Sequence, residues 1–362
     1  MLRVFKLADP WLVFTLISML MLGLLAVMSA GIHLNKDPFF YALRQIVFIL
    51  MGIPFFFLGA FLNYQSYRFR TYLPFLLGIS LLILVILFGE QSWLSLGFGF
   101  HLQPSEFAKV IIIMYLSYML SFDRGGTIRF LHDFLPMAAV CGMLIGAVIL
   151  LPDFGSAAIM ILITGYMLFI GGIPMKFFTL PALIFTPFAV ILPFKYSYVG
   201  RRFTDYFDVL KPGVDPSSLG FHVLQFHLGI GSGGWFGTGY AQGLIKRSFL
   251  PASHTDSIYA VLTEELGFVA GAIVILLFLW LLILGERTAR FTLDRFGALL
   301  ARGIVFYICA QAFLNVCVCL SLIPNTGVTL PFFSYGGSSL IITMYAYGIL
   351  VNISSQRQLV LS

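Results

Sequence analysis

Between Leu250 and Gly267 the chain reads LPASHTDSIYAVLTEELG, gathering His254, Asp256, Glu264 and Glu265 in one short stretch. Asp256 has a histidine two residues away and the cations Lys246 and Arg247 just upstream. Neighbours of both signs can tune a carboxylate toward work as a general base. The same residues also fit a plainer role. Ser253 to Ser257 followed by Ile258, Tyr259, Ala260, Val261 and Leu262 has the pattern of a capped helix start, with Asp256 as the cap. Glu264 and Glu265 lead directly into an apolar run and read as polar residues at a helix end.

Three more polar islands stand out. Glu106 and Lys109 are one turn apart, a spacing that places both on one helix face, as a buried ion pair or as a polar patch facing a cavity. Asp153, between Pro152 and Phe154, can cap a helix, hold a cation or orient a sugar hydroxyl. The segment GIGSGGWFGTGYAQG, residues 229–243, has seven glycines in fifteen residues. It does not match the dinucleotide fingerprint G-x-G-x-x-G, and reads as a tight loop whose glycines allow close backbone approach, to a diphosphate or sugar ring or to another turn. Arg201 and Arg202, further upstream, are candidates to hold phosphate or to sit at a membrane interface.

The elements that position these islands follow from composition. Charged residues make up 10% of the 362 and hydrophobic ones 60%, far from the roughly 25% charged residues of a soluble domain. The fold class is therefore an all-α integral membrane protein, since the apolar runs are continuous rather than alternating. Runs near 11–31, 43–62, 72–88, 104–121, 134–151, 155–172, 177–195, 266–285, 303–323 and 338–353 suggest ten transmembrane helices in one polytopic unit, 1–362. The long run from 134 to 172 becomes two spans if it breaks at Pro152-Asp153-Phe154-Gly155.

Loop charge sets the orientation. With the N-terminus inside, the inner loops hold twelve Lys and Arg, from Arg3 and Lys6 to Arg357, while the short outer loops hold only Lys36 and Arg44. Both termini are thus expected in the cytoplasm, and residues 196–265 become a large extracytoplasmic loop between helices 7 and 8. The segments 102–109, 152–156 and 323–339 would share that outer face. A formal charge of +6 is scattered and forms no dense basic tract, which argues against nucleic acid as a partner. Cys141, Cys309, Cys317 and Cys319 lie in apolar runs without metal-ligand spacing and are expected as free thiols, with no metal site.

Five segments, QPSEFAK, PDFGSAA, GIGSGGWFGTG, LPASHTDSIYAVLTEELGF and LPFFSYGGSS, resemble in order the signature segments of the SEDS family (shape, elongation, division and sporulation). The compact termini are more like its elongation branch, RodA, than its division branch, FtsW. The resemblance implies a peptidoglycan glycosyltransferase of the bacterial cytoplasmic membrane that polymerises lipid II onto an undecaprenyl-diphosphate-linked glycan at the outer face. It further implies a class B penicillin-binding protein transpeptidase and other cell-elongation proteins as partners. The family's essential aspartate falls on Asp256, its Glu and Lys on Glu106 and Lys109, its PDFG aspartate on Asp153, and its loop arginine on Arg202. Ala252, Ser257 and Phe226-His227 depart from the family's usual Glu, Phe and Ser-Lys. Asp256 is the expected base, and Lys109, Arg202, Lys246 and Arg247 are candidates to offset the charge of a diphosphate leaving group. The cofactor is left open, a divalent cation such as Mg or Mn held by Asp153 or Asp256 being one option. A lipid II flippase is the rival reading, disfavoured because the polar residues gather at one end of the spans and no paired repeats are visible.

Overall fold

The computed structural model describes residues 8–32, 37–69, 93–95, 101–122, 129–179, 219–243 and 254–358, with a few isolated positions between them. Its helices are α1 (Pro10–Gly31), α2 (Phe40–Phe61), α3 (Pro104–Ser121), α4 (Leu135–Leu150), α5 (Phe154–Ile170), α6 (Leu219–Gly233), α7 (Ile258–Arg290), α8 (Arg295–Cys319) and α9 (Gly337–Gln358). A two-residue antiparallel hairpin, β1 (Leu94–Ser95) with β2 (His101–Leu102), leads into α3. Among the described residues six helices are long and apolar enough to cross a membrane: α1, α2, α4 with the π turn before it, α7, α8 and α9. Eight of the ten runs expected from sequence fall on α1 to α5 and α7 to α9. The runs near 72–88 and 177–195 lie almost wholly outside the described residues, and the count of ten with them. So does much of 196–265, whose described parts include α6 and the first turns of α7.

Helix starts follow local chemistry. Asp9 accepts the Trp11 amide at 3.1 Å ahead of Pro10, and Asp294 accepts the Gly297 amide at 2.8 Å. The break expected at 152–155 is present, with α4 ending at Leu150 and α5 capped by Asp153. Along α1, Trp11, Phe14, Ile17, Met21 and Leu25 are exposed while Leu12, Leu16, Met19 and Val27 are buried. Apolar residues on both faces suit a helix with protein on one side and lipid on the other.

Glycine lets α2 and α9 approach closely. A Cβ on Gly348 of α9 would lie 2.2 Å from the Phe56 carbonyl of α2, and one on Gly59 would lie 2.4 Å from the Tyr345 carbonyl. Small residues let backbones meet where lipid provides no hydrophobic drive toward association. Between these helices α9 is buried along most of its length, so the bundle core runs through it.

Helix α7 spans 33 residues, about 50 Å at 1.5 Å per residue, against a hydrocarbon thickness of about 30 Å. It is interrupted at Gly267, whose φ of 79° and ψ of −177° suit essentially glycine alone. Before the break, Ile258 to Glu265 are buried on all sides; beyond it, Phe268, Ile273 and Leu276 are exposed. The turn after α6 fills the break. Phe268 and Val269 amides donate to Gly234 and Trp235 carbonyls, while Thr238 and Gly239 amides donate to Glu264 and Glu265 carbonyls. A Cβ on Gly233 or Gly237 would lie 2.2 or 2.0 Å from the Thr263 or Glu265 carbonyl.

Gly348→Val should lower the thermal unfolding midpoint in detergent, overpacking of this kind costing about 1–3 kcal/mol; an unchanged midpoint contradicts the packing account. Gly267→Ala should make the 234–243 turn markedly more sensitive to limited proteolysis, because the strained backbone alone costs about 1–3 kcal/mol. Wild-type resistance in that variant would mean the break does not depend on glycine.

Candidate functional site

Asp256 sits just ahead of α7, but the cap residue is Ser257, and no side chain caps the helix. The expectation that Asp256 caps α7 is thus corrected: the helix begins one residue too late for it. Among the described residues its carboxylate receives only the flanking hydroxyls, Thr255 Oγ1 at 3.2 Å and Ser257 Oγ at 3.4 Å, on the same oxygen. The carboxylate therefore keeps acceptor capacity for a ligand. Ser257, one of the departures from the family pattern, is buried and contributes that weak contact. Phe226, another, is buried in the core.

The backbone around Asp256 is held firmly. His254 O accepts the Tyr335 amide at 2.8 Å, Thr255 O accepts Ser334 Oγ at 2.6 Å, and Asp256 O accepts Asn315 Nδ2 at 2.8 Å. The His254 ring lies 4.4 Å from Tyr41 and 5.3 Å from Tyr335, centroid to centroid. Burial pushes its imidazole below the usual histidine range, against the opposing charge of Asp256. Its Nδ1 is buried without a hydrogen-bond partner among the described residues.

The polar segments that the sequence placed on one face do meet. Asp153 accepts Gln103 Nε2 and Ser105 Oγ, each at 2.6 Å, and the Ser156 amide at 3.1 Å. The capping role is thus realised, and the same carboxylate ties the start of α3 to that of α5. Gly155 packs against residues 326–328, where its Cβ would lie 2.6 Å from the Thr326 carbonyl. Ser339 Oγ donates to Glu106 at 3.2 Å. Lys109, 1% exposed, donates to Glu106 Oε1 and Gln311 Oε1 at 2.8 Å each and lies 5.2 Å from the Tyr307 ring centroid. It forms a buried ion pair, one of the two roles read from the sequence, with its nearest acceptors inside the bundle.

The glycine-rich segment packs within the protein. Its tight approaches are to the backbone of 263–267. Turn packing, one of the alternatives read from the sequence, accounts for Gly233 and Gly237, which seat the turn on α7. Glu265, buried, accepts the Ala241 amide at 3.1 Å and the Ser29 hydroxyl, fastening the same turn to α1. Arg202, Lys246, Arg247 and Ala252 lie outside the described residues.

A cavity of about 650 Å³ opens beside His254 and Thr255. Its wall includes Tyr41, Tyr335, Trp93 and His101, then the apolar Phe48, Met51, Phe55 and Ile341. Met51 and Phe55 are also exposed on the bundle surface. Arg44 lines the same cavity, stacked 4.6 Å over Phe40. Sequence reading took Arg44 as a loop charge, but α2 begins at Phe40 and encloses it. A cation inside an apolar helix was the signal, since intramembrane charge is rarely without function. Among the described residues no three His, Cys, Asp or Glu side chains converge as a metal site.

Known proteins align with nearly the whole chain. The family model described as a cell cycle protein, covering FtsW, RodA and SpoVE, matches residues 10–359. A protein named probable peptidoglycan glycosyltransferase FtsW, from Geobacter metallireducens, is 36% identical over 330 residues, 89% of this chain and 87% of the relative. Stage V sporulation protein E of Bacillus subtilis is 35% identical over 365 residues, 96% of this chain and 98% of the relative. Among solved structures, a chain from a peptidoglycan synthase complex that coordinates polymerization and crosslinking superposes with a TM-score of 0.79 at 28% identity, covering 97% of this chain and 98% of that one. The rod shape determining protein RodA of Thermus thermophilus gives 0.71 at 27% identity, with 97% of each chain covered. Motif order, fold and alignment agree, and the chain belongs to the FtsW, RodA and SpoVE family of cell cycle proteins.

Proposed function

We propose that this protein is a peptidoglycan glycosyltransferase that polymerises lipid II at the outer face of the bacterial cytoplasmic membrane, with both termini in the cytoplasm. The names of its relatives support the activity. One observation carries the residue assignment: among the described residues the carboxylate of Asp256 meets only two weak hydroxyl contacts, beside a cavity lined by the two residues preceding it.

In this reading Asp256 takes the proton from the 4-hydroxyl of the acceptor sugar. The freed oxygen attacks the anomeric carbon of the donor, the bond to the diphosphate breaks, and configuration inverts. Burial favours the neutral state of His254, two residues from the base. The apolar wall through Phe48, Met51 and Phe55 suits a polyprenyl tail entering from the bilayer. Arg44 at that wall suits the diphosphate, a guanidinium being matched to phosphate oxygens. Arg202, Lys246 and Arg247 remain candidates for the same role. A divalent cation, Mg or Mn, lacks a converging donor set among the described residues, and Asp153 already accepts three hydrogen bonds. No step here is routed through a metal.

A class B penicillin-binding protein is the proposed partner, supported by the match to a synthase complex that couples polymerization with crosslinking. The proposed role is in cell elongation and shape, supported by the match to the rod shape determining protein RodA of Thermus thermophilus. The flippase reading makes a different product: transport moves lipid II without joining it.

Purified protein in detergent with lipid II should make glycan polymer, with and without a candidate transpeptidase compared side by side, while Asp256→Ala should lose about 10²- to 10⁴-fold of the rate. Absence of polymer under every condition, or a wild-type rate in that variant, would overturn the reading. Arg44→Gln should raise KM roughly 10-fold, the scale of a lost charge-assisted hydrogen bond; an unaltered KM removes Arg44 from the substrate site.

A further inference from the structure

Three successive carbonyls, His254 O, Thr255 O and Asp256 O, each accept a hydrogen bond from outside their own segment. The Tyr335 amide and Ser334 Oγ come from the turn before α9, while Asp256 O accepts Asn315 Nδ2 of α8 and, more weakly, the Cys319 thiol of the same helix at 3.6 Å. Asn315 is fully buried, and its amide nitrogen donates twice, to Asp256 O at 2.8 Å and to Val328 O at 2.7 Å. Ser334 Oγ is likewise used twice, donating to Thr255 O and accepting the Leu330 amide at 2.8 Å. One turn before Asn315, Gln311 Nε2 donates to Thr329 O at 3.1 Å, so one face of α8 grips residues 328–329 as well.

The turn itself is strained. Phe332 has a φ of 67°, uncommon for a bulky residue, and its carbonyl would lie 2.1 Å from a Cβ on Gly23 of α1. Strain of this kind persists only where surrounding contacts over-determine the backbone, and such residues cluster at functional sites. Here the contacts are α1 on one side and the Ser334 and Tyr335 donors on the other. The peptide carrying Asp256 is therefore fixed from two directions, while among the described residues its carboxylate meets only two weak flanking hydroxyls.

We infer that Asn315 and Ser334 are positioning residues for Asp256: together they form a clasp on its peptide that aims the carboxylate at the acceptor hydroxyl, without touching substrate. The inference rests on Asp256 being the base. Misplacement of a reacting group by about 1 Å can cost on the order of 10²-fold in rate, which sets the expected scale.

The test uses the full-length protein in detergent with lipid II. Asn315→Ala and Ser334→Ala should each lower kcat roughly 10- to 100-fold with little change in KM. Ser334→Thr, which keeps the hydroxyl, should recover most of the loss. Asp256→Glu gives a readout that a purely structural role would not move. In the clasped protein the longer side chain should be strongly inhibitory, whereas in the Asn315→Ala background it should cost less than about 10-fold further, the non-additivity expected of coupled residues. If Asn315→Ala fails to fold, Ser334→Ala removes one bond of the same clasp and carries the test. Wild-type kcat in a folded Ser334→Ala variant, a loss confined to KM, or independent multiplication with Asp256→Glu would overturn the inference. A wild-type rate in Asp256→Asn would instead sink the base assignment on which it stands.

Discussion

Lipid supplies no hydrogen bonds, so every buried peptide group and charge in this bundle has to find its partner within the protein. At most positions a continuous helix meets that demand. It fails at the polar end, where α7 starts late, α4 turns into α5 and the chain enters α9 through a non-helical turn. There the partners are side chains: Asp153 for the start of α5, Asn315 and Gln311 for residues 328–329, and Ser334 for Leu330. The site is what this substitution of side-chain for helical hydrogen bonds creates. A firmly held backbone results, on which, among the described residues, the Asp256 carboxylate meets only its flanking hydroxyls.

The Glu106 and Lys109 pair belongs to the frame in this view. Breaking a buried pair leaves one charge uncompensated, at about 3–5 kcal/mol, so loss of either partner damages the whole polar end. The damage has a path, because Lys109 also holds Gln311, and Gln311 holds Thr329. A residue can thus be indispensable to the site and still stand outside its chemistry.

Much of this was legible in the sequence where the signal is local. Pro152, Asp153 and Gly155 announced a helix break that the structure contains, since each restricts its own few dihedrals. Composition gave a helical membrane protein, and the order of the polar segments gave the family. Other features depend on what lies opposite. The need to lack a Cβ is the same whether a glycine faces a diphosphate or a peptide, so Gly233 and Gly237 could not reveal that residues 263–265 pack on them. Asp256 looked like a cap because an aspartate just ahead of an apolar run is a common helix start, and one residue of register decided otherwise. Asn315 and Ser334 carried the faintest signal, a lone polar residue in an apolar run and a serine among aromatics, and their partners are 59 and 79 residues away.

The account turns on Asp256 acting in the chemical step rather than in binding. The most direct measurement compares wild type with Asp256→Asn for both equilibrium binding of a lipid-linked disaccharide and single-turnover joining of the bound sugars. Equal affinity with joining slowed by 10²-fold or more is the predicted result, on the usual scale of a lost general base. A variant that joins bound sugars at the wild-type rate, or whose loss in rate is matched by its loss in affinity, would contradict it.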